Sequence, residues 1–101
     1  MASALALHDR RTEDRHSVSL EAMIRAYRMP PRSVRLVDIS GGGAMLVMDE
    51  EAPERGDEVL LVIECIEVVA TVAWANDHAC GLAFHRRLGA CELASLRLSS
   101  H

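Results

Sequence analysis

SVSLEAMIRA, the stretch from Ser17 to Ala26, sets Val18, Leu20, Ala22, Ile24 and Ala26 in strict alternation with Ser19, Glu21, Met23 and Arg25. Successive side chains of an extended chain leave on opposite faces, so a period of two predicts a strand with one face buried. The pattern breaks at Met29, Pro30, Pro31 and Arg32, where two prolines remove backbone donors and set a turn. Val34 to Ile39 resumes as a second strand. Ser40 and the triplet Gly41 to Gly43 stop it, and Ala44 to Met48 reads as a third.

The segment from Asp49 to Asp57 is acidic and holds Pro53 and Gly56, which predicts an exposed connection. Val59 to Ile63 and the alternating Ile66 to Trp74 form a hairpin turning near Glu64 and Cys65. Asn76, Asp77 and His78 make another tight turn. Cys80, Leu82 and Phe84 then alternate on a last strand, and Leu93 and Leu96 lie at helical spacing after Gly89. Six short strands joined by turns too short for parallel crossovers favour an antiparallel barrel or sandwich. A barrel has the advantage of closing its own edges. Alternation places Trp74 with Val68, Ala70 and Val72, so it is expected to anchor the core.

The chain has 101 residues, room for one domain. Residues 1–9 are expected to be a flexible tail and residues 10–101 the folded unit. Half of the residues are hydrophobic but only one Trp, one Tyr and one Phe are present, so the core must be aliphatic. All 11 basic residues are arginine, whose planar fork suits phosphates and guanine edges. The net charge of −4 argues against a general DNA or RNA binder. From His8 to Arg35 seven arginines face four acids, whereas from Leu36 to Val68 one arginine faces nine, so an anion is drawn to the N-terminal part. No apolar run approaches the roughly 18 to 20 residues that span a bilayer, and the opening Ala-Leu-Ala-Leu is too short for a signal peptide. These features imply a cytoplasmic protein that is not inserted in a membrane.

Cys65, Cys80 and Cys91 show no paired spacing and read as small hydrophobes rather than disulfide partners or zinc ligands. His78 and Cys80 with a distant His85 match no metal pattern and read as turn and core residues. No nucleophile elbow or triphosphate-binding loop occurs, so neither catalysis nor a cofactor is expected.

Two stretches carry recognition chemistry. Arg10-Arg11-Thr12-Glu13-Asp14-Arg15 precedes the first strand and has no apolar pattern, so it reads either as an arm able to clamp an anion or a guanine, or as a solvated tail. Asp38-Ile39-Ser40-Gly41-Gly42-Gly43 ends the second strand. If the strand continues through Ser40, Asp38 and Ser40 project from one face, where a carboxylate accepts from guanine donors and a hydroxyl serves either role. The glycines permit unusual backbone conformations and close approach of a ligand. A tight turn with local Asp and Ser bonds to the backbone is the alternative.

An Arg-x-x-x-Arg arm followed some twenty residues later by Asp-x-Ser-x-x-Gly resembles the PilZ-domain family. Arg11 and Arg15 match the arginine pair, and Asp38, Ser40 and Gly43 match the second motif. Val72-Ala73-Trp74 leading to Gly81-Leu82-Ala83-Phe84 is similar to that family's late hairpin, so the resemblance runs from Arg10 to Phe84. It implies an all-β fold, a six-stranded antiparallel Greek-key barrel with a short C-terminal helix, whose arm closes over cyclic di-GMP. The resemblance assigns ligand contacts to Arg11, Arg15, Asp38, Ser40 and Gly43, with Gly42 beside them. Arg10 is implied to help hold a second, stacked ligand. Glu13 and Asp14 depart from the neutral or apolar residues of many relatives. Each would oppose a bound anion by about 1 kcal/mol at about 4 Å in water. The expected function is a cyclic di-GMP receptor that changes its arm on binding and signals to a partner protein. The rival is a protein-interaction module of the same fold, in pilus biogenesis or motility, that has lost the nucleotide.

Overall fold

The computed structural model describes residues 15–26 and 29–100. Six strands follow in order: β1 (His16–Ala26), β2 (Arg32–Ile39), β3 (Gly43–Val47), β4 (Glu58–Ile63), β5 (Ile66–Ala75) and β6 (Ala79–Phe84). A single helix, α1 (Ala90–Ser99), comes last. The strands close into a barrel in the order β1-β2-β3-β6-β5-β4, every neighbouring pair antiparallel. After two hairpins, residues 48–57 carry the chain back to lay β4 beside β1. This is the spatial order 4-1-2-3 of a Greek key.

The alternation in β1 works as expected: Val18, Leu20, Ala22 and Ile24 are buried. They meet Val34, Leu36, Ile39, Leu46, Leu61, Ile63, Val68, Ala70 and Val72 in one aliphatic core. The turn at Glu64 and Cys65 also forms, with Glu64 taking a positive φ of 55°. Residues 49–57 form the expected exposed connection except at Ala52 and Pro53, which are buried.

Trp74 departs from expectation. The β5–β6 register shifts by one between Val72 and Trp74, so a bulge at Ala73 reverses the alternation and turns the indole outward. It remains 42% exposed and lies over Gly81, where an added Cβ would collide with the ring. Trp74 therefore covers the outside of β6 and does not anchor the core. The cysteines also divide. Cys80 is fully buried, and burial pushes its thiol up to about 11, slightly opposed by the charge of Arg32. Cys65 and Cys91 are exposed, so the reading as small hydrophobes holds for Cys80 alone.

The helix α1 starts at Gly89, whose N–H donates to Glu92 Oε1 at 2.8 Å. Arg86 grips both oxygens of Glu92 at 3.0 Å. These charge-assisted bonds, the arginine's first, lower the carboxyl to about 2. Leu96 is buried against the barrel and Leu93 packs beside the same core. The far end is tied down as well. A bulge in β1 between Ser17 and Leu20 interrupts the ladder, and the Ser19 N–H donates to Ser100 Oγ at 2.8 Å. No helix among the described residues is long and apolar enough to cross a membrane.

Candidate ligand-binding site

The end of β2 and the start of β1 are neighbours because His16 pairs with Ile39 and Ser17 with Asp38. This register brings Arg15, immediately before β1, across to Asp38. Arg15 Nη1 donates to Asp38 Oδ2 at 3.3 Å. The pair is solvated, the side chains being 75% and 26% exposed. An ion pair of this kind contributes no more than about 1 kcal/mol. It positions the guanidinium loosely enough for an incoming acceptor to replace the carboxylate.

Asp38 and Ser40 do not share a strand face. Val37 is an extra residue in the β2–β3 pairing, and the strand ends at Ile39, which is fully buried. Asp38 is left on the outside, while Ser40, only 3% exposed, turns back. Its N–H donates to the Gly43 carbonyl at 2.9 Å, and its hydroxyl lies 3.4 Å from the same oxygen. The local turn and the recognition motif are thus one structure.

Close packing explains the glycine run better than unusual backbone does. Only Gly56 among the described glycines has a positive φ. At Gly43, which pairs with Ala83, an added Cβ would run into the Leu82 carbonyl oxygen. At Gly41 it would meet only the end of the Arg87 side chain, 2.7 Å away. The carbonyls of Gly41 and Gly42 accept from the N–H groups of Leu88 and Phe84, both at 2.8 to 2.9 Å. These bonds lock the turn to the segment leading into α1.

A cleft of about 680 Å³ opens between the start of β1 and α1, lined by Arg15, His16, Val18, Arg97, Leu98 and Ser100 among others. Its volume falls within the range that holds small ligands. Arg97 and Leu98 were not legible as site residues, because only packing of α1 on β1 brings them beside Arg15. In register with Asp38 on the outer surface stand Met45, Gly81 and Trp74, a row that runs across four strands. Arg10 and Arg11, with Glu13 and Asp14, lie outside the described residues. No group of three His, Cys, Asp or Glu side chains able to hold a metal forms among the described residues. His78 is exposed in its turn and Cys80 is in the core.

The closed Greek-key barrel thus sets an arginine opposite an Asp-x-Ser-x-x-Gly turn. The sequence matches the PilZ domain over residues 9–98, and the chain belongs to that family of cyclic di-GMP receptor domains. Among solved structures, the Bacillus subtilis inhibitor of motility, MotI/DgrA, is similar with a TM-score of 0.67 and 19% identity. That similarity covers 87% of this chain and 48% of the other, so this chain spans about half of that protein. An uncharacterized Legionella protein matches with a TM-score of 0.47 and 25% identity over 85% of this chain and 88% of its own. No curated protein matches the sequence.

Proposed function

We propose that this protein is a cytoplasmic receptor and adaptor for cyclic di-GMP. The observation that carries the reading is the meeting of Arg15 with Asp38 at 3.3 Å, beside the Ser40–Gly43 turn and at the mouth of a cleft also lined by Arg97. The ligand's phosphates and guanine edges match guanidinium donors, and the Asp38 carboxylate suits guanine N–H donors. Arg10 and Arg11 are assigned to the same ligand by the motif they complete, Arg11 with Arg15 and Arg10 on a second ligand molecule. Ser40, Gly42 and Gly43 supply the platform. Binding orders the arm, and the altered surface is read by a partner protein. The ordering draws on contacts made only in the bound state.

Calorimetric titration with cyclic di-GMP, with GTP as competitor, tests this directly. The native chain binds, GTP does not displace the ligand, and Arg15→Ala weakens affinity by at least about 2 kcal/mol, roughly thirtyfold. Absence of heat at high micromolar ligand would instead favour the interaction module that has lost the nucleotide.

A further inference from the structure

The outer face of β1, β4 and β5 lies away from the cleft and carries a regular pattern. Met23 pairs with Val62 and Arg25 with Leu60. Across the next interface Val62 pairs with Glu67 and Leu60 with Val69. Two rows therefore cross three strands, Met23-Val62-Glu67 and Arg25-Leu60-Val69. Met23 and Val69 are each 40% exposed, and Met29 beside them is 55% exposed. Three of the six large apolar side chains that reach solvent among the described residues thus gather on one face. Two shallow grooves flank its centre, one lined by Met23, Pro31 and Val62, the other by Met29 and Val69.

The charges set the occupant. Met23 and Val69 occupy one diagonal of the patch, and Arg25 and Glu67 occupy the other. Two strands and two residues of rise separate Arg25 from Glu67, roughly 12 Å between backbones, and the two do not pair with each other within the barrel. Neither side chain has an ion-pair partner among the described residues. Two copies meeting face to face must be related by a two-fold axis lying in the interface. With that axis along the Met23–Val69 diagonal, Met23 meets Met23 and Val69 meets Val69. Each Arg25 then stands opposite the other copy's Glu67, twice. The strands of the two sheets cross at roughly 70°, near the orthogonal class of sheet packing.

We infer that the β1–β4–β5 face is a self-complementary surface through which two copies of this chain associate, held by the Met23, Leu60, Val62 and Val69 patch and by reciprocal Arg25–Glu67 pairs. The patch is small beside the roughly 800 Å² per partner of a standard stable interface, so the dimer is weak and reversible. It uses no residue of the nucleotide site and stands whether or not the ligand reading does.

Sedimentation velocity on the full chain without nucleotide, from ~10 μM to ~1 mM to cover weak interfaces, tests the inference. The native chain shows a concentration-dependent dimer. Arg25→Glu alone and Glu67→Arg alone each weaken it at least about tenfold, because like charges then face each other. The double variant R25E/E67R restores the affinity to within about threefold, the coupling expected of a direct pair. Thermal melts confirm that each variant is folded. A native chain that stays monomeric throughout, single reversals without effect, or a double reversal that restores nothing would each overturn the inference. A monomer that instead binds a different protein through this face would overturn it equally.

Discussion

Replacing Gly43 by alanine tests whether the motif glycine serves the barrel or the ligand. The added Cβ would sit under 3 Å from the Leu82 carbonyl oxygen, a backbone atom in the strand paired with β3. Ordinary C···O contacts begin near about 3.3 Å, so β3 and β6 must part by at least about 0.3 Å at a ladder rung. Overpacking of this kind costs about 1–3 kcal/mol, against a gain of about 0.4–1 kcal/mol from restricting the unfolded chain. The net expectation is a loss of about 1–2 kcal/mol. Gly41→Ala is the internal control, because its Cβ meets the end of the Arg87 side chain rather than backbone. Its loss should be smaller than that of Gly43→Ala, because a side-chain end yields more readily than a paired strand. Urea unfolding followed by far-ultraviolet circular dichroism measures both, and at this chain length the Gly43→Ala loss lowers Tm by roughly 5–15 °C. Equal stabilities for the two variants would refute the claim that backbone packing demands Gly43. Any loss of ligand affinity in Gly43→Ala would then have to come from the site itself.

Other expectations follow from single side chains. Arg97→Ala should weaken cyclic di-GMP binding in calorimetry while leaving Tm nearly unchanged, since Arg97 lines the cleft and is exposed; native affinity would remove α1 from the site. Cys80 keeps its proton to about 11 when folded but loses it near 9.0 when unfolded, so the unfolded chain holds fewer protons in between. Stability should therefore fall as pH rises from 9 toward 11, and Cys80→Ala should flatten that part of the urea-midpoint profile. Glu92 behaves oppositely: its contribution is present above about 4.5 and is lost as pH falls toward about 2. Carboxyl titration by NMR should find Glu92 raised in Arg86→Ala yet still below the ordinary range, since the Gly89 N–H bond remains, and an unmoved value would mean that Arg86 is not the main cause. Leu46→Ala, at a fully buried position, should cost about 2–5 kcal/mol in the same denaturation assay.

Much of this protein was legible one residue at a time. Strand β1 could be read because one face of a closed barrel is dry, and that alone forces Val18, Leu20, Ala22 and Ile24 into alternation. The prolines at 30 and 31, the Glu64–Cys65 turn and the helix after Gly89 were readable because they depend on local backbone chemistry. So were the residue types of the two recognition motifs, through the family resemblance they carry.

At Trp74 a single inserted residue overturned the reading. A bulge leaves composition and local propensity untouched but reverses every side chain beyond it. Ala73 thereby turned Trp74 out of the core, whereas Asp38 and Ser40, both beyond the extra residue Val37, part because the strand ends between them at Ile39. Such shifts depend on the partner strand's register, which alternation within one strand does not contain.

The sequence by itself determined the six strands, their aliphatic core, the excess of positive charge toward the N-terminus and the residue types of the recognition motif. All of these are set by side-chain chemistry at fixed spacings along one chain. Only the tertiary structure decided that Arg15 meets Asp38, that Arg97 and Leu98 complete a cleft, and that Arg25 and Glu67 share a face with Met23 and Val69. Those neighbours lie many residues apart, and barrel closure with the docking of α1 brings them together.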